Sequence, residues 1–524
     1  MKPQIIKLLP IIFLLAVFNI ISCSKEDSTP VSIETTITAY DFSKTIDENP
    51  PVGFEIGTLL ASTNQGSLSF SLAEQNPTGA LSIDATSGKL KVADPSLFNF
   101  ETNPVISGLA KITNEDVSEN INITITLNEL NEIKVYEGLI NLRSQAEVDA
   151  FGANNYTHIS ETLNIGKYLD GEISDIHDLS SLSSLISIGK NLIVGLNPDL
   201  ENLQGLDNVS RIMGQIVIVQ NTALTSIQSL SKTSGNNYLS VSIMENNSLQ
   251  NLDGLEKLEK LVTLNIIDNP SLLNIDGLSG VSRTYDVVIA NNAQLTDIMG
   301  LQNMIKADGG ISIGNNASLL NINGFNNLTQ IGENLAIFEN TSLLHIDGLE
   351  NLVIFPSVIT IRENNSLQSI SGLRGIEGSS SINISDNASL SNLEGSNNLV
   401  TLNNLTIKGN GSIQNLSPLN SLKSVESLRI RSNSNLTNLN GLSGLESVIK
   451  SIWIEDNSNL LNLNGLQNLL LIGKDLYIKN NSTLTDFCGL QPGLFEYRFS
   501  GNFNVSNNAY NPTKQDIIDG NCSL

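Results

Sequence analysis

An asparagine followed three residues later by an apolar residue recurs along more than half of this chain. It stands at Asn197, Asn221, Asn246, Asn269, Asn292, Asn316, Asn340, Asn364, Asn387, Asn410, Asn433, Asn457 and Asn481, at steps of 24, 25, 23, 23, 24, 24, 24, 23, 23, 23, 24 and 24 residues. A period in the twenties constrains the fold to a solenoid, in which each repeat buries its apolar face only against its neighbours. The length of 524 residues likewise exceeds what one ordinary core holds.

The repeat at Asn364 shows the physics of one coil. Ile359, Thr360 and Ile361 alternate as in a strand, with Thr360 outward. Leu367, Ile370 and Leu373 then follow at three-residue steps, which suits tight turns rather than a helix. The residue three after the anchor is Leu in twelve repeats and Ile413 in the other. The residue eight after it is Gly in eleven of thirteen, Ser229 and Pro418 being the exceptions. Such a glycine implies a positive φ or a close backbone approach. A turn inside a coil presents N–H and C=O groups to an apolar interior, and a stacked Asn satisfies both. The thirteen asparagines are therefore read as a structural ladder.

Leu163–Ile165 reads as an atypical first strand without a ladder Asn, which brings the array to about 14 coils. At the usual rung spacing this is a rod of roughly 65 Å. Over residues 140–490 the repeats resemble the receptor L-domain type of leucine-rich repeat. That resemblance implies a right-handed parallel β-solenoid, and a shared shape rather than a shared ligand.

Acidic residues outnumber basic ones 53 to 28, for a net charge of −25, which argues against a nucleic-acid partner. Aromatics are 5% of the chain. Lys2 and Lys7 precede a short apolar run, Ile11–Val17, that ends in Ile20–Cys23. This is the pattern of an export signal rather than of a spanning helix. It resembles a bacterial lipobox, which implies acylation of Cys23 and anchoring in the outer membrane by lipid. Ser24–Asp27 resembles the surface-export signal of Bacteroidetes-type lipoproteins. Residues 1–22 are thus a signal peptide and 23–32 a tether.

Residues 33–132 lose the period and show alternating strands, such as Leu68–Leu72 and Ile121–Ile125, between Pro and Gly turns. An all-β sandwich is expected. Four segments, Asp47–Gly53, Ile83–Leu90, Phe98–Glu101 and Glu129–Glu132, together resemble a cadherin repeat. That family binds Ca²⁺ through carboxylates. The resemblance places Glu48, Glu101, Glu129, Asn131 and Glu132 at ligand positions. Thr63 and Gln65, however, occupy the place of its central acidic pair, and Asn114 lies near a later acidic position. The expectation is a sandwich that keeps the fold without the ion, so no cofactor is assigned.

Residues 133–160 read as a junction and cap, with Ser144 and Glu147 as the capping pair of a short helix. Residues 161–487 are the solenoid and 488–524 a C-terminal cap. That cap holds a helix begun by Thr513 and ended by Gly520. Cys488 and Cys522 are the cysteines left besides Cys23; in an exported protein they form a disulfide, or else remain two buried thiols.

No nucleophile-elbow, zinc or phosphate-loop motif is present, and His158, His177 and His345 lie in different parts of the array, so no enzyme is expected. Asp175, His177 and Asp178 are the only metal-like cluster. The outward strand positions are more informative. Early rungs are apolar: Ile193, Val217, Val219, Met244, Ile267 and Val288. Late rungs carry Arg362, Lys408, Arg429, Arg431, Trp453, Tyr477 and Lys479, beside an acidic row of Glu339, Glu363, Asp386 and Asp456. A basic and aromatic surface on an acidic protein is a candidate contact face for a protein or glycan. The functional expectation is a non-catalytic surface binding or adhesion lipoprotein. The alternatives are a glycan-capture component of a polysaccharide uptake system, or a structural envelope protein.

Overall fold

The computed structural model describes residues 33–130, 133–168, 171–236, 238–494, 499 and 501–524. Cys23, the signal and tether segments, Asn131 and Glu132 lie outside them. The chain is mostly β and divides into two compact units at residues 132/133.

In the first unit, Phe42–Asp47, Val117–Asn128, Val105–Asn114 and Ser69–Asn76 form a four-stranded sheet in that order. Glu55–Thr58, Lys89–Val92 and Leu81–Ile83 form a three-stranded one. Alternation builds the core: Ile121, Ile123, Ile125 and Leu127 are buried, and the residues between them are exposed. They pack with Ile56, Phe70, Phe98, Ile106 and Ile112. The Ile83–Leu90 segment becomes a turn held by Asp84, whose Oδ1 accepts N–H and hydroxyl hydrogens from Ser87 and Thr86.

The second unit is organised by a sheet of 18 strands running from Ile140–Leu142 to Phe503–Ser506, all paired in parallel. Two of them, Ser447–Val448 and Leu471–Ile472, belong to a second, shorter face. Sixteen rungs therefore stack on the broad face among the described residues. The rungs at Ile140–Leu142 and Phe503–Ser506 fall in segments read from sequence as caps, where the period gives no signal. The strand residues alternate in and out, and in most coils a 3₁₀ turn closes the opposite corner, as at Ser371–Leu373; the coils of Gly205, Gly254 and Gly395 make a plain turn there.

The ladder asparagines are fully buried. Asn364 Nδ2 donates to Ile337 O (2.9 Å), Arg362 O (3.0 Å) and Asn387 Oδ1 (3.3 Å), while its own Oδ1 accepts the backbone N–H of Asn340 (3.1 Å). The residue before each ladder Asn is left-handed, from Leu196 to Asn507, with φ between 53° and 66°. The glycine eight residues after the Asn answers a different need. At Gly441 a Cβ would press into Leu416 O of the preceding coil, and at Gly465 into Leu439 O. That glycine corner is a close approach, and only Gly205, Gly254 and Gly395 combine it with positive φ.

Both ends of the stack are covered. The helix Gln145–Gly152, capped by Ser144, buries Val148 and Phe151 against the first coils. At the other end Cys488 and Cys522 form a disulfide. Asp486 there pairs antiparallel with Ser523, so the last segment turns against the rung direction and closes an open edge. The helix Lys514–Ile518 carries a capping box between Thr513 and Asp516.

Candidate functional site

The parallel register sets the broad face in columns, because each outward residue lies beside its equivalent one rung away. One column runs Thr406, Arg429, Trp453, Tyr477; its neighbour runs Arg362, Ser385, Lys408, Arg431, Glu455, Lys479. The Arg429 guanidinium lies 4.2 Å from the centroid of the Trp453 ring. Trp453 and Tyr477 stack at 5.8 Å with 9° between their planes, and Lys479 Nζ stands 5.1 Å over Tyr477. These four side chains form one continuous half-buried stack. Such contacts order long cations without neutralising them.

The other three predicted cations are placed differently. Arg362 pairs with Glu339 (3.0 Å) and Glu363 (2.5 Å), Lys408 with Asp386 (3.1 Å), and Arg431 with Glu455 (2.9 Å). Glu339, Glu363, Asp386 and Asp456 all occupy left-handed positions before ladder asparagines. That backbone turn brings each acid to the edge of the face, where Arg362 and Lys408 reach the first three and the Asn480 amide donates to Asp456. Arg362 also covers Phe338 at 4.7 Å, an aromatic the sequence reading passed over.

The early rungs need one correction. Val219 is buried, not exposed: it and Tyr168 both close over Gly195. Ile193, Val217, Met244, Ile267 and Val288 are half-buried on the face.

Among the described residues, the calcium candidates Glu48, Glu101 and Glu129 belong to no cluster of metal-ligating side chains. Glu48 is buried, and its carboxylate accepts the N–H groups of Phe100 (2.8 Å) and Leu130 (2.7 Å), tying two loops together. Glu101 and Glu129 are exposed. Thr63, Gln65 and Asn114 bond to one another: Asn114 Nδ2 donates to Thr63 Oγ1 (2.8 Å) and Gln65 O (2.5 Å). These polar groups thus satisfy one another without a carboxylate.

The Asp175–Asp178 cluster is also occupied locally. Asp175 Oδ1 accepts the Gln145 N–H, His177 Nδ1 lies 3.0 Å from Asp175 O, and Asp178 accepts from Ser180. The Ser180 amide and hydroxyl hold the Asp178 carboxyl below the usual carboxylate range. His158 lies beside Thr157 Oγ1 and His345 beside Asp347.

Sequence reasoning missed two sets of asparagines. Asn508 continues the ladder, accepting from Asn481 at 3.0 Å. A separate set, eleven residues after the anchors, donates to carbonyls of the preceding coil, as Asn303 does to Ser279 O and Asn327 to Gln302 O. Asn208, Asn351, Asn398 and Asn468 repeat this, and their common offset from the anchors was a usable signal.

No protein-family model and no curated protein matches the chain. Among solved structures, protocadherin gamma B2 extracellular cadherin domains 3–6 are similar over 19% of this chain and 24% of that one, at 17% identity and a TM-score of 0.18. The human desmocollin-1 ectodomain is similar over 20% and 24%, at 18% identity and 0.17. Drosophila N-cadherin EC1–4 is similar over 20% and 28%, at 24% identity and 0.16. This is a weak structural similarity to cadherin extracellular domains, and the chain spans about a quarter of the length of those structures.

Proposed function

We propose that this protein is a non-catalytic, surface-anchored binding or adhesion protein. A cadherin-like sandwich acts as a spacer, and a right-handed solenoid of the leucine-rich-repeat L-domain type presents its broad face to a partner. Lipid on Cys23 holds the chain to the outer membrane. The observation that carries the binding reading is the Arg429, Trp453, Tyr477 and Lys479 stack. Arg429 and Lys479 are held against rings and have no carboxylate partner among the described residues.

The same geometry favours a protein over a glycan at this face. Trp453 has Arg429 on one side and Tyr477 on the other, so neither ring face is open for a sugar to stack on. What remains are ring edges and two cations, which suit an acidic protein surface. The non-catalytic reading is supported by the separate local contacts of the three histidines.

The test is a screen of the full chain against purified surface proteins and a glycan array, repeated with Arg429→Ala combined with Trp453→Ala. A protein ligand lost in the double variant supports the reading; a ligand bound equally by it rejects this face. Detergent-phase partitioning that persists in Cys23→Ser would reject the lipid anchor.

A further inference from the structure

We propose a second binding site on the shorter face: a basic groove that takes an acidic polysaccharide. It lies apart from the stack around Trp453 and does not depend on that reading. Among the described residues the short strands of this face stack in register with two breaks, one between Ser234 and Lys260 and one between Ile354 and Gly378, and the groove lies at the first. Arg211 bridges to Ser234, and Lys260 bridges to Arg283, which pairs with Lys306. The strands before and after this first break form separate sheets. The break is a groove of about 200 Å³, lined by Ser234, Gly235, Asn236 and Lys257–Lys260 with Leu239 at its base.

Cations mark the groove and the rungs beyond it. Lys257 and Lys260 stand in its wall, and Arg283 and Lys306 continue the column at rung spacing, roughly 4.8 Å. All four are exposed. Arg283 is paired with Asp308, whereas Lys257, Lys260 and Lys306 have no carboxylate partner among the described residues. Glu259 is the one acid in the lining, and Glu256 is turned to the Gly254 N–H. In a chain of net charge −25 this local excess of exposed cations attracts an anionic partner to this one place. The lining sets hydroxyl, amide and charged groups around Leu239 and Leu258, a polar rim over a small apolar floor, which suits a hydroxylated chain with its own apolar ring faces. The cations are spread along a line, as the charges of a uronic-acid polymer are.

The experiment is biolayer interferometry of the full chain against polygalacturonate, with a neutral glucan as control, at low and physiological salt. Polygalacturonate should bind, more weakly at higher salt, and the glucan should not. Lys260→Gln with Lys306→Gln should weaken binding by about tenfold. Lys423→Gln with Lys450→Gln, which removes two lysines paired with Glu446 and Glu426 away from the groove, and Arg429→Ala with Trp453→Ala, should leave it unchanged. Circular dichroism will verify the fold of each variant, and Lys306→Gln alone serves if the pair is unstable. Absent binding, equal binding of the glucan, or equal loss in the control variants overturns the proposal. Tighter binding of polyglutamate or a single-stranded oligonucleotide through the same lysines also overturns it.

Discussion

Asn481 donates its backbone N–H to Asn508 Oδ1 at 3.0 Å, across a step of 27 residues. The ladder thus outlasts the period that reveals it. Its last member is closed locally, because Asn511 Oδ1 accepts the Asn508 N–H at 2.9 Å. At the other end Ser174 Oγ donates to Asn197 Oδ1 at 2.5 Å. Interior rungs depend on neighbours on both sides, and terminal rungs on one.

Asn364→Ala should be strongly destabilising. It leaves Ile337 O and the Asn340 N–H without their partner in a buried setting, at about 1–3 kcal/mol for each orphaned group. Urea unfolding will measure this. Asn508→Ala should act more locally, speeding hydrogen exchange in the last rungs while leaving early rungs unchanged.

Glycine substitution separates close approach from ordinary turns. Gly441→Ala drives a Cβ into Leu416 O and should cost about 1–3 kcal/mol. Gly411 meets only Ser434 Oγ, at 3.7 Å, so Gly411→Ala should stay within about 0.5 kcal/mol of the parent. Equal effects in urea unfolding would reject the packing account of the repeated glycine.

Cys488 and Cys522 are separated by 34 residues in sequence. Replacing both with Ser should remove about 4 kcal/mol on a loop-closure basis. The loss should appear first as faster exchange in the C-terminal rungs, and reductant should reproduce it in the parent but not in the variant.

Trp453 is the only tryptophan, so its emission reports the stack directly. Arg429→Ala and Tyr477→Ala should each increase quenching by a neutral quencher such as acrylamide, because each uncovers one ring face. Unchanged quenching in both would mean that the stack does not persist in solution.

Asp84 links the sandwich to pH. The Ser87 amide, with the Ser87 and Thr86 hydroxyls, holds its carboxyl far below the ordinary carboxylate range. A folded-state pKa below the unfolded value contributes stability above the unfolded value, and that stability is lost as pH falls toward the folded one. Asp84→Asn should therefore lower the melting temperature at neutral pH, with the gap closing as pH falls below 4. A gap independent of pH would show that the charge on Asp84 is not what holds the turn.

Much of the fold was legible because the rung pattern is local. The alternation of Ile359 and Ile361 and the anchor at Asn364 define which groups point inward, and both structural units appear as changes of pattern. The left-handed position was not legible. Eight of its fourteen occupants are Asn, Asp or Gly, which tolerate that conformation, but Leu196, Gln220, Ser432 and three glutamates occupy it too, so residue type alone does not mark it. The terminal rungs were hidden for a related reason, since capping residues do not repeat. The sequence also showed that Arg362, Lys408, Arg429 and Arg431 point outward, but not what becomes of their charge.

By itself, then, the sequence determined the coil: its length, its buried Asn and Leu, and the free positions between them. Only the tertiary structure decided what those free residues do. Arg431 meets Glu455 and Arg429 meets Trp453 because residues 24 apart in sequence become neighbours through register. Pairing of that kind is a property of the stack, and no single repeat contains it.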